Sequence, residues 1–183
     1  MSTDFAGTVA TAATRIAPHI LKTPLEYSPW LSRETGAEVW LKMEHLQITG
    51  SFKLRGAANK LLSLDAAQRA AGVVTASTGN HGAAVAHIAA QTGVPATIYL
   101  PRTVQPAKVA YLSLFEVELV YVGEDSVEAE AAARLAAAQS GRVFVSPYND
   151  AEVIAGQGTL GREILQQLPE VEAVWVPVGG GGL

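Results

Sequence analysis

Short apolar segments alternate with longer helical patterns along most of this sequence, and this alternation constrains the fold more than any other feature. Segments with the composition of β-strands lie at residues 38–42, 72–76, 96–100, 117–122, 142–145 and 173–178. Their apolar residues are nearly continuous, which is typical of parallel strands that are buried on both faces. The pattern therefore predicts an α/β protein with open, mostly parallel sheets and helices on both faces.

Helical periodicity fills the intervals between the predicted strands. Apolar residues form one stripe from Phe5 to Ile16, and the segment after Asp125 has a similar stripe. Asp125, with Glu128 three residues later, predicts a capping box at the start of this second helix, and Gly141 predicts its end.

Composition narrows the possible partners. The chain has 183 residues, of which 49% are hydrophobic, so it can bury a proper core. Its net charge is −4 and it has no basic run, so we expect no nucleic-acid partner.

The chain has no cysteine, no leader-like N-terminus and no apolar run that could span a bilayer, so we expect a cytoplasmic protein without a membrane contact. Its histidines show no metal-ligand spacing with carboxylates, and we expect no metal site.

Two junctions between predicted strands and the residues that follow are candidate binding sites. After the strand that ends near residue 76, the polar turn at 77–80 precedes a helix of small residues, where backbone N–H groups and the helix dipole suit a carboxylate. After the predicted strand at 173–178 come four consecutive glycines, whose amides can converge on a phosphate. An ordinary capped turn and a flexible tail are the alternative interpretations.

The stretch "GSFKLRGA" places Lys53 in the first turn of a predicted helix. Gly56 and Ala57, three and four residues later, leave room for a flat group beside the lysine. A partly desolvated lysine has a lowered pKa and becomes a competent amine nucleophile. Together with a carboxylate-binding turn and a phosphate-binding loop, it matches the aldehyde, the amino-acid substrate and the phosphate used by pyridoxal 5'-phosphate enzymes.

Five motifs resemble the threonine/serine dehydratase and serine racemase family, which belongs to the β-family (fold type II) pyridoxal-phosphate enzymes. They are "KTPLEYSPWLS", "VWLKMEHLQITGSFKLRGA", "VTASTGNHGAAVAHIA", "AGQGTLGREIL" and "VPVGGGGL", in the family's order and at its spacing. The resemblance covers nearly the whole chain. It implies a tryptophan-synthase-β-like fold, in which a small domain is inserted in a larger domain.

The resemblance also implies a role for each candidate residue. Lys53 would hold the cofactor as an internal aldimine, Phe52 would pack near the cofactor ring, and Asn80 would hydrogen-bond the ring hydroxyl. The residues expected to surround the substrate carboxylate are Ser77, Thr78, Gly79, Asn80 and His81. Those expected to bind the phosphate are Gly179, Gly180, Gly181 and Gly182.

The implied reaction is the elimination of water from a β-hydroxy amino acid such as L-threonine or L-serine, which gives a 2-oxo acid and ammonia. Lys53 would remove the Cα proton. Thr78 is a second catalytic candidate, because racemising members have a hydroxyl residue at this position that delivers a proton from the face opposite the lysine. Serine racemase and a hydroxyaspartate-type dehydratase are the alternatives within the family.

The resemblance further implies three segments: residues 1–49 begin the large domain, 50–147 form the small domain, and 148–183 return to the large domain. Relatives continue past the glycines, so we expect the large domain to be unfinished in these 183 residues. We therefore expect weak or no activity from the chain alone, with a non-catalytic cofactor-binding fragment as an alternative. A homodimer that acts on a small amino acid is also expected.

A nicotinamide-dependent protein is the alternative from another class. "GQGTLG" at 156–161 satisfies the G-x-G-x-x-G dinucleotide pattern. The surrounding residues fit one continuous helix better than the strand, turn and helix that dinucleotide binding requires, and no acidic residue ends the following strand. We therefore expect a helix here.

Overall fold

The computed structural model describes residues 5–183, which form helices packed on both sides of a parallel sheet. The helices span Phe5–Ile16 (α1), Pro29–Thr35 (α2), Lys53–Leu62 (α3), Ala66–Ala71 (α4), Asn80–Thr92 (α5), Pro106–Leu112 (α6), Ser126–Ser140 (α7) and Ala151–Gln167 (α8). The strands span Leu25–Tyr27 (β1), Trp40–Lys42 (β2), Val73–Ala76 (β3), Ala96–Leu100 (β4), Glu118–Tyr121 (β5) and Val143–Phe144 (β6). Single turns of 3₁₀-helix lie at Ala17–His19 and Glu44–Leu46.

The main sheet is parallel and has the strand order β5-β4-β3-β6. In its register Val73 lies opposite both Ala96 and Val143, on the two sides of β3. The strands β1 and β2 form a separate antiparallel pair. The predicted fold class is therefore confirmed. Five of the six predicted strands are present, four of them with slightly shorter bounds and β4 with the predicted ones.

The two faces of the sheet bury their side chains against different helices. Val73 belongs to a cluster that includes Leu54 of α3 and Ile88 of α5, whereas Val74 packs against Ala133 of α7. Neighbouring residues of a strand point to opposite faces, so the consecutive apolar residues 73 and 74 pack against the helices on the two sides of the sheet. Each such fully buried side chain stabilises the fold by about 1.5–3 kcal/mol.

The strand order reverses beside β3. The chain passes from β3 to β4 and β5 on one side, and α7 then leads it back to β6 on the other side of β3. In open α/β sheets, ligands bind outside the carboxyl ends of the strands at such a reversal. The carboxyl ends of β3 and β6 therefore mark the place where a site is expected.

Helix ends follow their sequence signals, with one difference. The side chain of Asp125 accepts hydrogen bonds from the backbone N–H groups of Val127 and Glu128, and α7 ends at Gly141 with φ of 69°. The carboxylate of Glu128 accepts from the N–H of Glu124, not from that of Asp125. The predicted cap is confirmed, but the reciprocal half of the capping box is made one residue earlier.

Helices α3 and α8 cross where Gly56 of α3 meets Gly156 of α8. A Cβ atom on Gly156 would lie 2.4 Å from the carbonyl oxygen of Arg55 and 2.7 Å from Cα of Gly56. Only a residue without Cβ allows such a close approach of two helix backbones. The "GQGTLG" segment thus lies wholly within α8, as expected, and the nicotinamide alternative is wrong because no strand and turn precede its glycines.

The predicted strand at 173–178 is absent. This segment pairs with none of the strands described within residues 5–183, and the side chains of Trp175 and Val178 are 95% and 82% exposed. Its apolar composition is that of a strand, but a strand also needs a neighbouring backbone to satisfy its polar groups. The strand β1 was missed because three residues carry too short a pattern. Within residues 5–183, no helix is both long and apolar enough to cross a membrane.

Candidate active site

Lys53 is the first residue of α3 and lies partly buried near the carboxyl end of β6. Its Nζ atom donates a hydrogen bond of 2.7 Å to the carbonyl oxygen of Pro147 and lies 5.1 Å from the centre of the Phe52 ring. Burial lowers the pKa of Lys53 below its ordinary value, because the charged ammonium loses contact with water. The amine is therefore more readily neutral, and more nucleophilic, than a fully solvated lysine.

A cavity of about 280 Å³ lies between the start of α3 and the C-terminal glycines. Phe52 and Lys53 line one side of it, and residues 177–183 line the other. Its volume is near the lower end of the range of about 300–1,000 Å³ that is usual for small-molecule sites. The structure thus brings together the predicted lysine, its aromatic neighbour and all four predicted glycines.

The glycine loop, residues 179–182, packs against Tyr148. A Cβ atom on Gly180 would lie 2.7 Å from the tyrosine ring, and one on Gly182 would lie 2.5 Å from Cα of Tyr148. Gly181 has φ of 77°, a left-handed backbone conformation that residues with a Cβ rarely adopt. A Cβ on Gly179, in contrast, would meet nothing within 4 Å. Three of the four glycines are therefore required by packing or by backbone conformation.

The 77–80 turn, made of Ser77, Thr78, Gly79 and Asn80, connects β3 to α5. The Ser77 hydroxyl accepts a hydrogen bond of 3.2 Å from the N–H group of Gly79, and a Cβ on Gly82 would lie 2.4 Å from the carbonyl oxygen of Ser77. Thr78 is partly buried, and Asn80 is exposed at the first position of α5. The turn is not among the residues that line the cavity of Lys53.

His81 follows the turn, and its ring lies in the interior. The side chain is 3% exposed, and Nε2 lies 3.1 Å from the carbonyl oxygen of Val145. Burial, and to a lesser extent the charge of Lys53, lower the pKa of His81 to about 4, against the opposing effects of the Val145 carbonyl and Asp150. The ring is therefore neutral at neutral pH, and any contact with a substrate carboxylate depends on the backbone of His81.

Sequence reasoning missed Pro147 and Tyr148, which contact the lysine and the glycine loop. Together with Val145 and Ser146 they form the 145–148 segment, which leaves β6. The Ser146 hydroxyl accepts hydrogen bonds from the N–H groups of Tyr148 and Asn149, at 3.5 and 3.0 Å. Nothing in the apolar pattern distinguishes these residues, although a segment that follows a sheet strand is a general signal.

A buried ionic cluster behind Lys53 was also missed. Arg55 is fully buried, and its guanidinium donates to Glu44 and to Glu163, each at 2.7 Å. Lys42 donates to Glu163 at 2.7 Å. Burial opposes the charge of Arg55, but the hydrogen bonds to the two glutamates raise its pKa on balance. The cluster joins α3, two residues beyond Lys53, to α8 and to the segment after β2.

Histidine and acidic side chains elsewhere in the structure can be compared with the arrangement that a metal ion requires. Within the described residues, 5–183, no group of three histidine, aspartate or glutamate side chains is placed to hold a metal ion. His87 packs edge-on against Phe115, with ring centres 6.0 Å apart. It lies two turns along α5 from His81.

Known proteins resemble this chain over nearly its whole length. The family described as "Pyridoxal-phosphate dependent enzyme" matches residues 16–183. The L-threonine ammonia-lyase of Thermotoga maritima is 50% identical over 162 residues, which cover 88% of this chain and 40% of that protein. The β-hydroxyaspartate dehydratase of Paracoccus denitrificans is 40% identical over 169 residues, which cover 92% of this chain and 54% of that protein.

A solved structure of a related protein also has the fold of this chain. The maize serine racemase matches with a TM-score of 0.91 and 36% identity, over 96% of this chain and 54% of that one. The chain spans about half the length of the curated relatives it matches. The family match, the identities and the shared fold confirm the resemblance found in the sequence. The chain belongs to the family of pyridoxal-phosphate-dependent enzymes.

Proposed function

We propose that this protein uses pyridoxal 5'-phosphate to eliminate water from a β-hydroxy amino acid such as L-threonine or L-serine, and releases a 2-oxo acid and ammonia. The observation that carries the proposal is the cavity in which Lys53, Phe52 and the glycine loop meet. The activity named for the Thermotoga maritima relative supports this choice of reaction.

The cavity fits the cofactor in three respects. An amine of lowered pKa suits an aldehyde, an aromatic side chain suits a flat ring, and a compact loop without Cβ atoms suits a phosphate. Phe52, Lys53 and residues 179–182 would hold it. When bound, pyridoxal phosphate supplies an aldehyde that joins to amines and a conjugated ring that withdraws electrons from the substrate Cα.

Lys53 has two tasks in this proposal. Its Nζ atom anchors the cofactor and, once free, takes the proton from the substrate Cα. The desolvation that lowers the pKa of Lys53 favours the neutral amine that both tasks require. Loss of the Cα proton and of the β-hydroxyl together amounts to one water, and the resulting enamine hydrolyses to the 2-oxo acid and ammonia.

The 77–80 turn is proposed to bind the substrate carboxylate. Ser77, Thr78 and Gly79, with the backbone of His81, lie at the start of α5, where the helix dipole favours an anion. Asn80, exposed at the first helical position, is proposed to hydrogen-bond the ring hydroxyl of the cofactor. The turn is not among the residues that line the cavity, so we infer that the bound cofactor and substrate together extend from the cavity to the turn.

Racemisation is the second candidate function, and Thr78 favours it. A hydroxyl on the turn can deliver a proton to Cα from the side opposite Lys53, and the match to maize serine racemase supports this role. A hydroxyaspartate-type dehydratase is supported by the Paracoccus denitrificans relative. The added methyl group of threonine restricts rotation of this hydroxyl, so we expect elimination to exceed racemisation.

The domain division is part of the same proposal. We propose that residues 50–147 form a small domain, supported by the confinement of the main sheet to Val73–Phe144, and that 1–49 and 148–183 belong to a larger one. We also propose a cytoplasmic protein, since a chain without cysteine suits the reducing cytosol, and a homodimer, which the family resemblance implies.

The test supplies the purified chain with pyridoxal phosphate and, separately, L-threonine, L-serine and hydroxyaspartate, and measures 2-oxo acid release and the chirality of the remaining substrate. Release is expected to be slow, to require the cofactor and to vanish in Lys53→Ala. The exposed Lys22 provides the matched control, Lys22→Ala. Release that survives Lys53→Ala contradicts the proposal, and cofactor held at Lys53 without release favours the non-catalytic alternative.

A further inference from the structure

The 145–148 segment contacts three parts of the candidate site: Lys53, the glycine loop and His81. The carbonyl of Pro147 accepts a hydrogen bond from Lys53, and Tyr148 packs against Gly180 and Gly182. The carbonyl of Val145 faces His81, the residue after the 77–80 turn. A displacement of this segment would therefore change the positions of Lys53, the glycine loop and His81 together.

Two side chains converge on the carbonyl oxygen of Val145. The hydroxyl of Thr75 donates to it at 2.8 Å, and Nε2 of His81 lies 3.1 Å away. A carbonyl oxygen can only accept, so Nε2 must carry the proton of the ring. In the part of the chain that the structure describes, Nδ1 of His81 is buried and has no hydrogen-bond partner.

Burial keeps the ring of His81 at one proton, and the two nearby charges act on its pKa in opposite directions. Lys53 of α3 and Asp150, the cap of α8, are the charged groups that act on His81. Burial, which has the largest effect, and the charge of Lys53 oppose a second proton on the ring, and together they outweigh the Val145 carbonyl and Asp150, which favour it. The ring therefore keeps one proton, on Nε2, throughout the neutral pH range.

We propose that His81 is a positioning residue, whose Nε2–H bond to the Val145 carbonyl holds the 145–148 segment so that the Pro147 carbonyl meets the amine of Lys53. This role differs from contact with the substrate carboxylate, because the imidazole points into the interior. Its importance for catalysis rests on the proposed role of Lys53. The bond between His81 and Val145, and its effect on the position of Pro147, requires neither cofactor nor substrate.

The coupling predicts how Lys53 responds to substitution of His81. Thr75 still holds the Val145 carbonyl when the Nε2–H bond is lost, but with one of its two side-chain bonds gone we expect the 145–148 segment to loosen and water to reach the lysine. Since burial is what lowers the pKa of Lys53, hydration raises it toward its ordinary value. The pH dependence of the reaction of Lys53 with an amine reagent reports this change directly.

The test measures acetic anhydride labelling of Lys53 against pH, by mass spectrometry of the chain without cofactor, with the exposed Lys22 as internal reference. His81→Leu is expected to move the Lys53 midpoint upward by about half a pH unit or more. His81→Gln places an amide nitrogen near the position of Nε2 and is expected to restore the wild-type midpoint. His87→Leu, on the same helix, is the matched control and is expected to leave the midpoint unchanged.

An unchanged Lys53 midpoint in folded His81→Leu overturns the proposal, as does a failure of His81→Gln to restore it. If His81→Leu does not fold, His81→Asn replaces it, because its shorter amide does not reach Val145, and the same criterion applies. Failure of the wild-type chain to hold pyridoxal phosphate contradicts the proposed function but does not alter these profiles. The two failures are therefore distinguishable.

Discussion

The amine of Lys53 donates a hydrogen bond of 2.7 Å to the carbonyl oxygen of Pro147, 94 residues away in the sequence. This contact joins the start of α3 to the end of β6, where the strand order of the sheet reverses. The lysine thus lies where open α/β sheets bind their ligands, and its partner is a backbone group that substitution cannot remove. The side chains that hold this backbone can be changed, and they offer the tests below.

The glycine loop gives a first prediction. Gly180→Ala and Gly182→Ala would press a Cβ atom against Tyr148 at 2.7 and 2.5 Å, so the loop must shift, whereas Gly179→Ala meets nothing within 4 Å. We expect the first two variants to bind pyridoxal phosphate about tenfold or more weakly, equivalent to about 1.4 kcal/mol, and Gly179→Ala to bind as wild type. Fluorescence titration measures the affinity. Equal affinity in all three variants would contradict the packing that we describe.

The helix crossing gives a second prediction. Gly156→Ala places a Cβ atom 2.4 Å from the carbonyl oxygen of Arg55, and overpacking of this kind costs about 1–3 kcal/mol. Gly161→Ala, on the exposed side of the same helix, meets nothing within 4 Å and should raise the free energy of unfolding by up to about 1 kcal/mol. Urea unfolding measures both. Similar changes in the free energy of unfolding for Gly156→Ala and Gly161→Ala would contradict the close approach of α3 and α8.

The ionic cluster gives a third prediction. Arg55→Met removes the buried cation that Glu44 and Glu163 share, and Glu163 keeps only its pair with Lys42, so the free energy of unfolding should fall by about 3–5 kcal/mol. The control is Arg33→Gln, because Arg33 pairs with Glu34 at the surface, where such pairs contribute about 0–1 kcal/mol. Thermal unfolding monitored by circular dichroism compares them. A loss for Arg55→Met as small as that for Arg33→Gln would refute the structural importance of the cluster.

The buried imidazole gives a fourth prediction, on pH. Between pH 6.5 and about 4 the unfolded chain protonates His81 while the folded chain does not, so the free energy of unfolding rises with pH across this window. The contribution lost on acidification to about pH 4 is on the order of 3 kcal/mol. His81→Gln cannot take up this proton, so its stability should vary less over the same window. Urea unfolding at several pH values measures the slopes, and equal slopes would refute the assignment.

The fold could largely be predicted from the sequence, because local patterns determine it. Continuous apolar runs identified the strands of the main sheet, and the helix of small residues after the 77–80 turn identified the junction to α5. The error at 173–178 has a physical cause, since composition reports strand propensity but not whether a pairing backbone is present. Leu25–Tyr27 was too short to be recognised.

The candidate site could be predicted only in part. Lys53 and the glycine loop stood out because an isolated lysine among small residues and a run of glycines are unusual, and the cavity brings them together. Pro147 contacts Lys53 through its backbone carbonyl, which carries no side-chain signal. His81 was predicted as a site residue, but the bond from its ring to the Val145 carbonyl could not be foreseen for the same reason. Arg55 and its glutamates are charged, and a sequence pattern assigns charged residues to the surface unless their partners are known.

The most direct test of the central claim is to map where pyridoxal phosphate attaches. The purified chain is mixed with the cofactor, reduced with borohydride and digested, and the modified lysine is identified by mass spectrometry. The account predicts that the pyridoxyl group is on Lys53, that Lys53→Ala carries none, and that Lys22→Ala is modified as wild type. Modification of other lysines while Lys53 stays free would contradict the account.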